Sequence, residues 1–548
     1  MNSSTQHLPN DTDELQSLVL SQQKNLDSLA SINADLASDN TKLEHRIDSL
    51  EDELRLHRIK RFQAQSEQAK NLLEETGFEQ TDIFPETLAA LLEELGLGPE
   101  EEAPPAISVP AHMRKPRKSR TLDASLPRVE VVHDLTDKSC DHCGDEMTCI
   151  GEEPPLEQLA IVPAKQFVIR HIRKKYACRC KRCIKRADMP RQPIPKSQAS
   201  PQLLAFLMVS KFLDGLPLYR LENIVARYGL QLSRQNMARW LIQSSDHFDR
   251  LLHAFEHKLL EYDIVLADET RLQVLNEPGR DPTTKSWLWI RRGGPPGQAV
   301  ILVDYDPSRA AKVPNALLEA YKDGYLVVDA YAGYFQVAAA NGLKLVGCHD
   351  HARRKFKDAY DSLSVKARQS KGGIANQAIK RYQLLYKIER ELKDKTPEIK
   401  KQVRQEKSLP LLADFKAWLA TVKQQGIVHD KTLIAINYFI NQYDTLIRYC
   451  EDGRLPISNI LSEHVAKSIA IARKNFLFAN TQSGATAASK IYSMVLTAAQ
   501  NGLEPIGYLT AVLTKMPNIK GNESIDHLLP WNLTQEQLNQ YLASMPSI

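Results

Sequence analysis

Apolar positions recur at three different periods along the chain, and each change of period marks a change of structure. From Leu26 to Leu54 they recur in heptads: Leu26, Asn33, Asn40, Ile47 and Leu54 fill the a column, and Leu29, Leu36, Leu43 and Leu50 fill the d column. An all-Leu d column with Asn among the a residues predicts a parallel dimeric coiled coil, because a buried Asn costs stability but fixes register and strand number. An acidic helical stretch, PETLAALLEELGL, follows. The linker after it is too rich in Pro and charge to build a core.

After PIPKSQASPQ the period becomes that of amphipathic helices. LLAFLMVSKFLDG, LYRLENIVARYG and LSRQNMARWLIQSS are three such segments joined by tight turns, with Gly229 ending the second and Ser233 capping the third. This is helix-turn-helix spacing, with Arg234, Gln235, Asn236 and Arg239 at the exposed start of a recognition helix. A plain helical bundle packed on the next domain fits the pattern equally well.

From Asp263 the period drops to two. IVLADETRLQVL, KSWLWIRRGG and AVILVDYDPS read as an antiparallel meander. A helix (VPNALLEAYKDG), a buried strand (YLVVDA), a helix (YAGYFQVAAANG), a fifth strand (KLVGCHD) and a helix beginning HARRKF come next. Three antiparallel strands and two βα repeats predict a ribonuclease-H-like core, in which the first strand lies centrally beside the fourth. The helical stretch 367–450 interrupts this core as an insertion, and a helix from Ser458 then carries Glu463 with Lys467 one turn on.

The expected architecture is therefore α/β and multidomain. Residues 1–100 form the coiled-coil and helical region, 101–130 a basic linker, 131–198 a zinc-binding ribbon and 199–258 the helix-turn-helix-like module. The core occupies 259–366 and 451–510 around the insertion, and 511–548 form a C-terminal tail.

Composition narrows the class. With 548 residues, 43% hydrophobic and 25% charged, the chain reads as a soluble multidomain protein. No apolar run nears the roughly 18 residues of a membrane span and the start lacks a signal-peptide pattern, so a cytoplasmic protein is expected. Net charge is only +4, but basic residues crowd into HMRKPRKSR and KQFVIRHIRKKYACRCKRCIKR, which suits a phosphate backbone. Most of the eight cysteines lie between Cys140 and Cys183. Cys140 with Cys143, and Cys180 with Cys183, make two C-x2-C knuckles, the spacing of a four-thiolate zinc ribbon. Cys178 can stand in for Cys180, and Cys149 reads as a bystander.

Two acids, Asp268 and Glu269, interrupt the first strand of the meander, where acids are rare unless paired, solvated or holding a cation. Alternation turns them to opposite faces. Asp268 is the one expected to meet Asp329, at the end of the fourth strand. Neighbouring carboxylates repel unless a cation or a proton separates them. A helical Glu463 arriving beside them completes a set of hard oxygen ligands suited to Mg²⁺ or Mn²⁺.

Nearly the whole chain resembles the DDE transposases of the insertion-sequence 66 group. The stretches that carry the resemblance are YACRC, SKFLDGLPLYRLENIVARYGLQLSR, LADETRLQVL, DAYAGY, GCHDHARRKF, DGRLPISN, ARKNFLFA, IYSMVLTAAQNGLEPIGYL and HLLPWN. It implies Asp268, Asp329 and Glu463 as catalytic acids holding two Mg²⁺ or Mn²⁺ ions, and strand cleavage and transfer at inverted-repeat ends. It also implies a structural zinc and double-stranded DNA as partner, both element ends and target. A homodimer or larger assembly and small accessory proteins complete the expected partners. His351, Arg353, Arg354, Lys467, Arg473 and Lys474 are further candidates for DNA contact. The chain departs from the family pattern at Arg271 (commonly Pro), Ala330 (often Gly), Ile460 and His464, and at HD in GCHDHARRKF. These departures define the alternative reading, a weakened transposase-derived protein that binds DNA without cutting it.

Overall fold

The computed structural model describes residues 166–177, 184–363, 373–426 and 430–545, together with 19, 21–24, 26, 28 and 142. The heptads beyond Leu26, the basic linker and all the cysteines expected to hold zinc lie outside the described residues. A short antiparallel hairpin, β1 (Lys175–Ala177) with β2 (Ile184–Arg186), flanks the segment that carries Cys178, Cys180 and Cys183. Among the described residues, no helix is long and apolar enough to cross a membrane.

Four helices precede the main sheet: α1 (Pro201–Phe212), α2 (Leu218–Arg227), α3 (Arg234–Ser245) and α4 (Asp249–Leu260). Ser200 caps α1 with Pro201 in its first turn, and Ser233 caps α3 by accepting from the Asn236 N–H. Gly229 takes φ +86° just past α2, a left-handed turn that a side chain would oppose. The buried residues of these helices share one hydrophobic cluster with the sheet. The three-helix segment thus packs on the domain that follows, with α1 against α14 and α3 against α13, defined below.

The sheet is built on one long strand, β3 (Ile264–Asn276). On one side it pairs antiparallel with β4 (Lys285–Gly293), which pairs with β5 (Val300–Asp306). On the other it pairs parallel with β6 (Tyr325–Val328), followed by β7 (Lys344–Gly347). The order β5-β4-β3-β6-β7 places the first strand of the meander centrally beside the fourth strand, as its pattern predicts. The short α5 (Lys312–Leu317) and α6 (Ala332–Asn341) connect these strands, and α7 (His349–Ser362) leaves β7.

Strand alternation splits the core in two. Val265 and Ala267 join the cluster that includes α4, α6 and the C-terminal helices, whereas Leu266, Val327 and Val346 join a second cluster on the opposite face. That second core is filled by α7 and by α8 (Ile374–Glu391), α10 (Leu409–Gln424) and α11 (Asp430–Asn441). Between α8 and α10 lie α9 (Pro397–Val403) and a π-helical turn, Arg404–Ser408.

Arg404, 3% exposed, donates to both Glu389 oxygens at 2.8 and 2.7 Å. It also donates to the carbonyls of Tyr449, Asp452 and Leu455. It therefore ties this helical layer to the segment that enters α12 (Ile460–Phe476). Leu477, at φ +65°, turns the chain into β8 (Phe478–Thr481), which runs parallel to the far end of β3. The apolar α13 (Gln482–Gln500) and α14 (Pro505–Lys515) close the first core, and α15 (Gln535–Ala543) packs on α14.

Candidate active site

Leu266 on β3 pairs with Val327 on β6, and each strand carries an Asp two residues further on. By strand alternation Asp268 and Asp329 lie on the face that also carries Leu266 and Val327. The Asp268 carboxylate accepts from the Glu269 N–H at 2.9 Å, and that of Asp329 accepts from the Tyr331 N–H at 2.9 Å, so both are anchored locally. Glu269 takes the other face, where Arg309 donates to it at 2.8 and 2.5 Å and Tyr334 at 3.0 Å. Burial pushes the Asp268 carboxyl up to about 7, assisted by the negative charges of Glu269, Asp329 and Glu463. The charges of Asp329 and Glu463, on two other elements, both reach Asp268.

Glu463 stands in the first turn of α12. Its Oε1 lies 3.2 Å from Cys348 Sγ and 3.2 Å from His351 Nδ1, and its Oε2 lies 3.6 Å from Arg354. Burial pushes Glu463 up, but His351, Cys348 and Arg354 together outweigh it and hold the carboxyl down to about 2. The same carboxylate raises His351 above its ordinary value.

Asn459 fixes the helix start. Fully buried, it donates Nδ2 to the carbonyl of Ala267 at 2.8 Å, the residue before Asp268. Its N–H reaches Cys348 Sγ at 3.3 Å, its carbonyl accepts from the Glu463 N–H at 2.9 Å, and Ser462 donates to its side-chain oxygen. One amide therefore joins β3, the end of β7 and the turn that presents Glu463.

The other candidate residues are spread more widely. Arg234, Gln235 and Arg239 are exposed on α3, and Asn236 is half-buried and accepts from Arg239 at 2.9 Å. His351 and Arg354 turn toward Glu463, while Arg353 lies exposed over the Tyr386 ring. Lys467 and Lys474 are exposed on α12, and Arg473 is half-buried. Cys348 was not singled out by its sequence position, since a Cys ending a buried strand reads as core. Its C-x2-H spacing to His351 at a strand–helix junction was the available signal.

The donor set fits a hard divalent cation. Burial is the largest cause of the raised Asp268 carboxyl, the negative charges of Glu269, Asp329 and Glu463 add to it, and a bound cation would offset both.

The chain matches the family described as "Transposase IS66 family" over residues 196–487. Residues 137–181 match the "zinc-finger binding domain of transposase IS66", a span that includes Cys140, Cys143, Cys178 and Cys180 and stops before Cys183. Residues 493–531 match the "IS66 C-terminal element". Two proteins of Sinorhizobium fredii, named "Uncharacterized protein y4qI" and "Uncharacterized protein y4jD", are each 32% identical to it, over 440 and 439 residues. These alignments cover 78% and 76% of this chain, and 79% and 83% of theirs. A third, "Uncharacterized protein y4hP", is 27% identical over 506 residues, 89% of this chain and 88% of its own. With the family match spanning more than half of its length, between the zinc-finger and C-terminal matches in that order, the chain belongs to the IS66 transposase family.

Proposed function

We propose that this chain is a DNA transposase that cleaves and joins strands at the inverted-repeat ends of its element, by phosphoryl transfer in a ribonuclease-H-like core. The observation that carries the reading is the raised carboxyl of strand-borne Asp268, on which the charges of Asp329 and of helix-borne Glu463 both act. Asp268 would hold both Mg²⁺ or Mn²⁺ ions and Asp329 and Glu463 one each. Bound there, the cations supply an activated water or 3′-hydroxyl and a stabilised departing oxygen. Arg354, exposed beside Glu463, meets the incoming phosphate. Asn459 keeps Glu463 in register with Asp268.

The remaining modules serve DNA capture. The coiled coil pairs two chains, and a two-fold assembly matches paired inverted ends. Cys140, Cys143, Cys180 and Cys183 hold a structural zinc, with Cys178 the alternative to Cys180. Arg234, Gln235, Asn236 and Arg239 on α3 contact end sequence, and Arg353, Lys467, Arg473 and Lys474 contact backbone phosphates. The protein acts on the cytoplasmic nucleoid, with small accessory proteins of the same element.

A second reading, an end-binding protein without chemistry, is favoured by one feature. Ile460 and His464, the residues that depart from the family pattern beside Glu463, are both exposed on α12. The deciding assay is cleavage and joining of a duplex carrying the element's ends in Mg²⁺ or Mn²⁺, accessory proteins included. Activity in wild type that falls at least about 10³-fold in each of Asp268→Ala, Asp329→Ala and Glu463→Ala is the expected result. Tight end binding with no cleavage in either metal would establish the second reading instead.

A further inference from the structure

We propose that Cys348, His351 and Glu463 form a three-ligand site for Zn²⁺, separate from the structural zinc ribbon and sharing Glu463 with the acid trio. One ligand atom from each residue lies within 4.8 Å of the other two, and Glu463 Oε1 stands 3.2 Å from both Cys348 Sγ and His351 Nδ1. Zinc bonds of about 2.0–2.3 Å at tetrahedral angles set ligand atoms about 3.3–3.7 Å apart, so the two Glu463 distances need only a small expansion, and the third side of the triangle lies within 4.8 Å. His351 Nδ1 is the second observation. It is sealed from solvent and, although it stands 3.2 Å from Glu463 Oε1, it has no partner in hydrogen-bonding geometry. A ring nitrogen without a hydrogen-bond partner, beside a thiol and a carboxylate, suits a metal ligand.

The sulfur is prepared in the same way. Cys348 is buried and free, and the Asn459 backbone N–H donates to its Sγ at 3.3 Å. Such a contact steadies a metal-bound thiolate from outside the ligand shell. Zinc binding replaces the thiol proton that Cys348 now donates to Glu463, and releases it. Arg354 approaches only Oε2, at 3.6 Å from exposed position, and leaves Oε1 to the site. Three protein ligands leave a fourth position open. A mixed sulfur, nitrogen and oxygen set selects a borderline cation over Mg²⁺, which prefers oxygen alone. The two cations therefore meet at Glu463, and zinc bound here draws that carboxylate away from the acid trio. That last consequence rests on the proposed transposase chemistry, but the metal site does not.

Cobalt substitution tests the site on the full-length chain without any DNA reaction. Wild type, Cys348→Ala and His351→Ala, stripped of metal and matched by circular dichroism, are titrated with Co²⁺ and followed by absorption. Each variant is expected to bind about one equivalent fewer than wild type and to lose the sulfur-to-cobalt charge-transfer intensity of this site. His351→Ala keeps the test valid if Cys348→Ala does not fold. Equal stoichiometry in wild type and every folded variant would overturn the zinc site. A protein that gains cobalt here yet never cleaves DNA would leave the site standing and remove the catalytic reading.

Discussion

Asp268 carries the clearest consequence at the scale of a single residue. Its carboxyl is raised to about 7 from an ordinary 3.8, so between about pH 4 and 7 the folded chain binds more protons than the unfolded one. Stability therefore falls as pH rises through that window, and above it the folded protein carries a buried charge beside other acids. Asp268→Asn removes the charge. In magnesium-free buffer at pH 8 the variant should be more stable by on the order of 2–4 kcal/mol, and near pH 4 the two should be equal. Thermal melts at both pH values check this, and parallel profiles would defeat it. Magnesium should raise the melting temperature of wild type alone. The acid was legible because a charge inside a strand pattern needs a reason. Asn459 was legible only as part of a motif. Its work is to donate to a main-chain carbonyl on β3, and no sequence spacing reports a contact between residues 192 positions apart.

At the scale of elements, segments with a clean period and apolar runs bounded by turns, such as β6 and β7, were legible, whereas β8 and the full length of α13 were not. β3 alternates over its outer half, with Thr270, Leu272 and Val274 buried around an exposed Arg271, and its pairing follows from that. β8 is four residues of half-exposed FANT, held in place by β3, so its own sequence carries almost no strand signal. α13 is buried along most of its length, which erases the polar face that would betray a period. The three-helix segment fitted two descriptions equally, because a recognition helix and a bundle helix share one pattern. Its inner face packs on α13 and α14, and Arg234, Gln235 and Arg239 stay exposed.

Arg404 joins elements that the sequence kept apart. It is buried, paired with Glu389 and bonded to three carbonyls ahead of α12. Arg404→Met would leave Glu389 without its cation and those carbonyls without a donor, a loss of about 3–5 kcal/mol. Hydrogen exchange should quicken in α8 and in residues 449–458 while the β3–β4 ladder keeps its protection. Uniform quickening across the sheet would mean that the clamp does not act locally.

For the whole molecule the question is how two DNA ends come to be held by one assembly. On the proposed function a monomer would offer one acid trio and one set of end-contacting helices, whereas inverted ends present the same sequence twice in opposite sense. A two-fold dimer meets that symmetry with no second recognition surface. In the proposed dimer the heptads would supply the means, and their a-column Asn33 and Asn40 the restriction to two strands. Each amide would there find its partner across the dimer axis, and in trimers or slipped registers it would be left unpaired. Replacing both by Leu removes that penalty against the alternatives while adding apolar area to the seam. Asn33→Leu with Asn40→Leu should therefore give a more heat-resistant coiled coil that no longer stays dimeric, with trimers or larger species in light scattering. End binding should lose its two-end stoichiometry in the same preparations. A double variant that remains a dimer of unchanged mass would show that register and strand number are set elsewhere in the chain, and the amides would then have no part in pairing the ends.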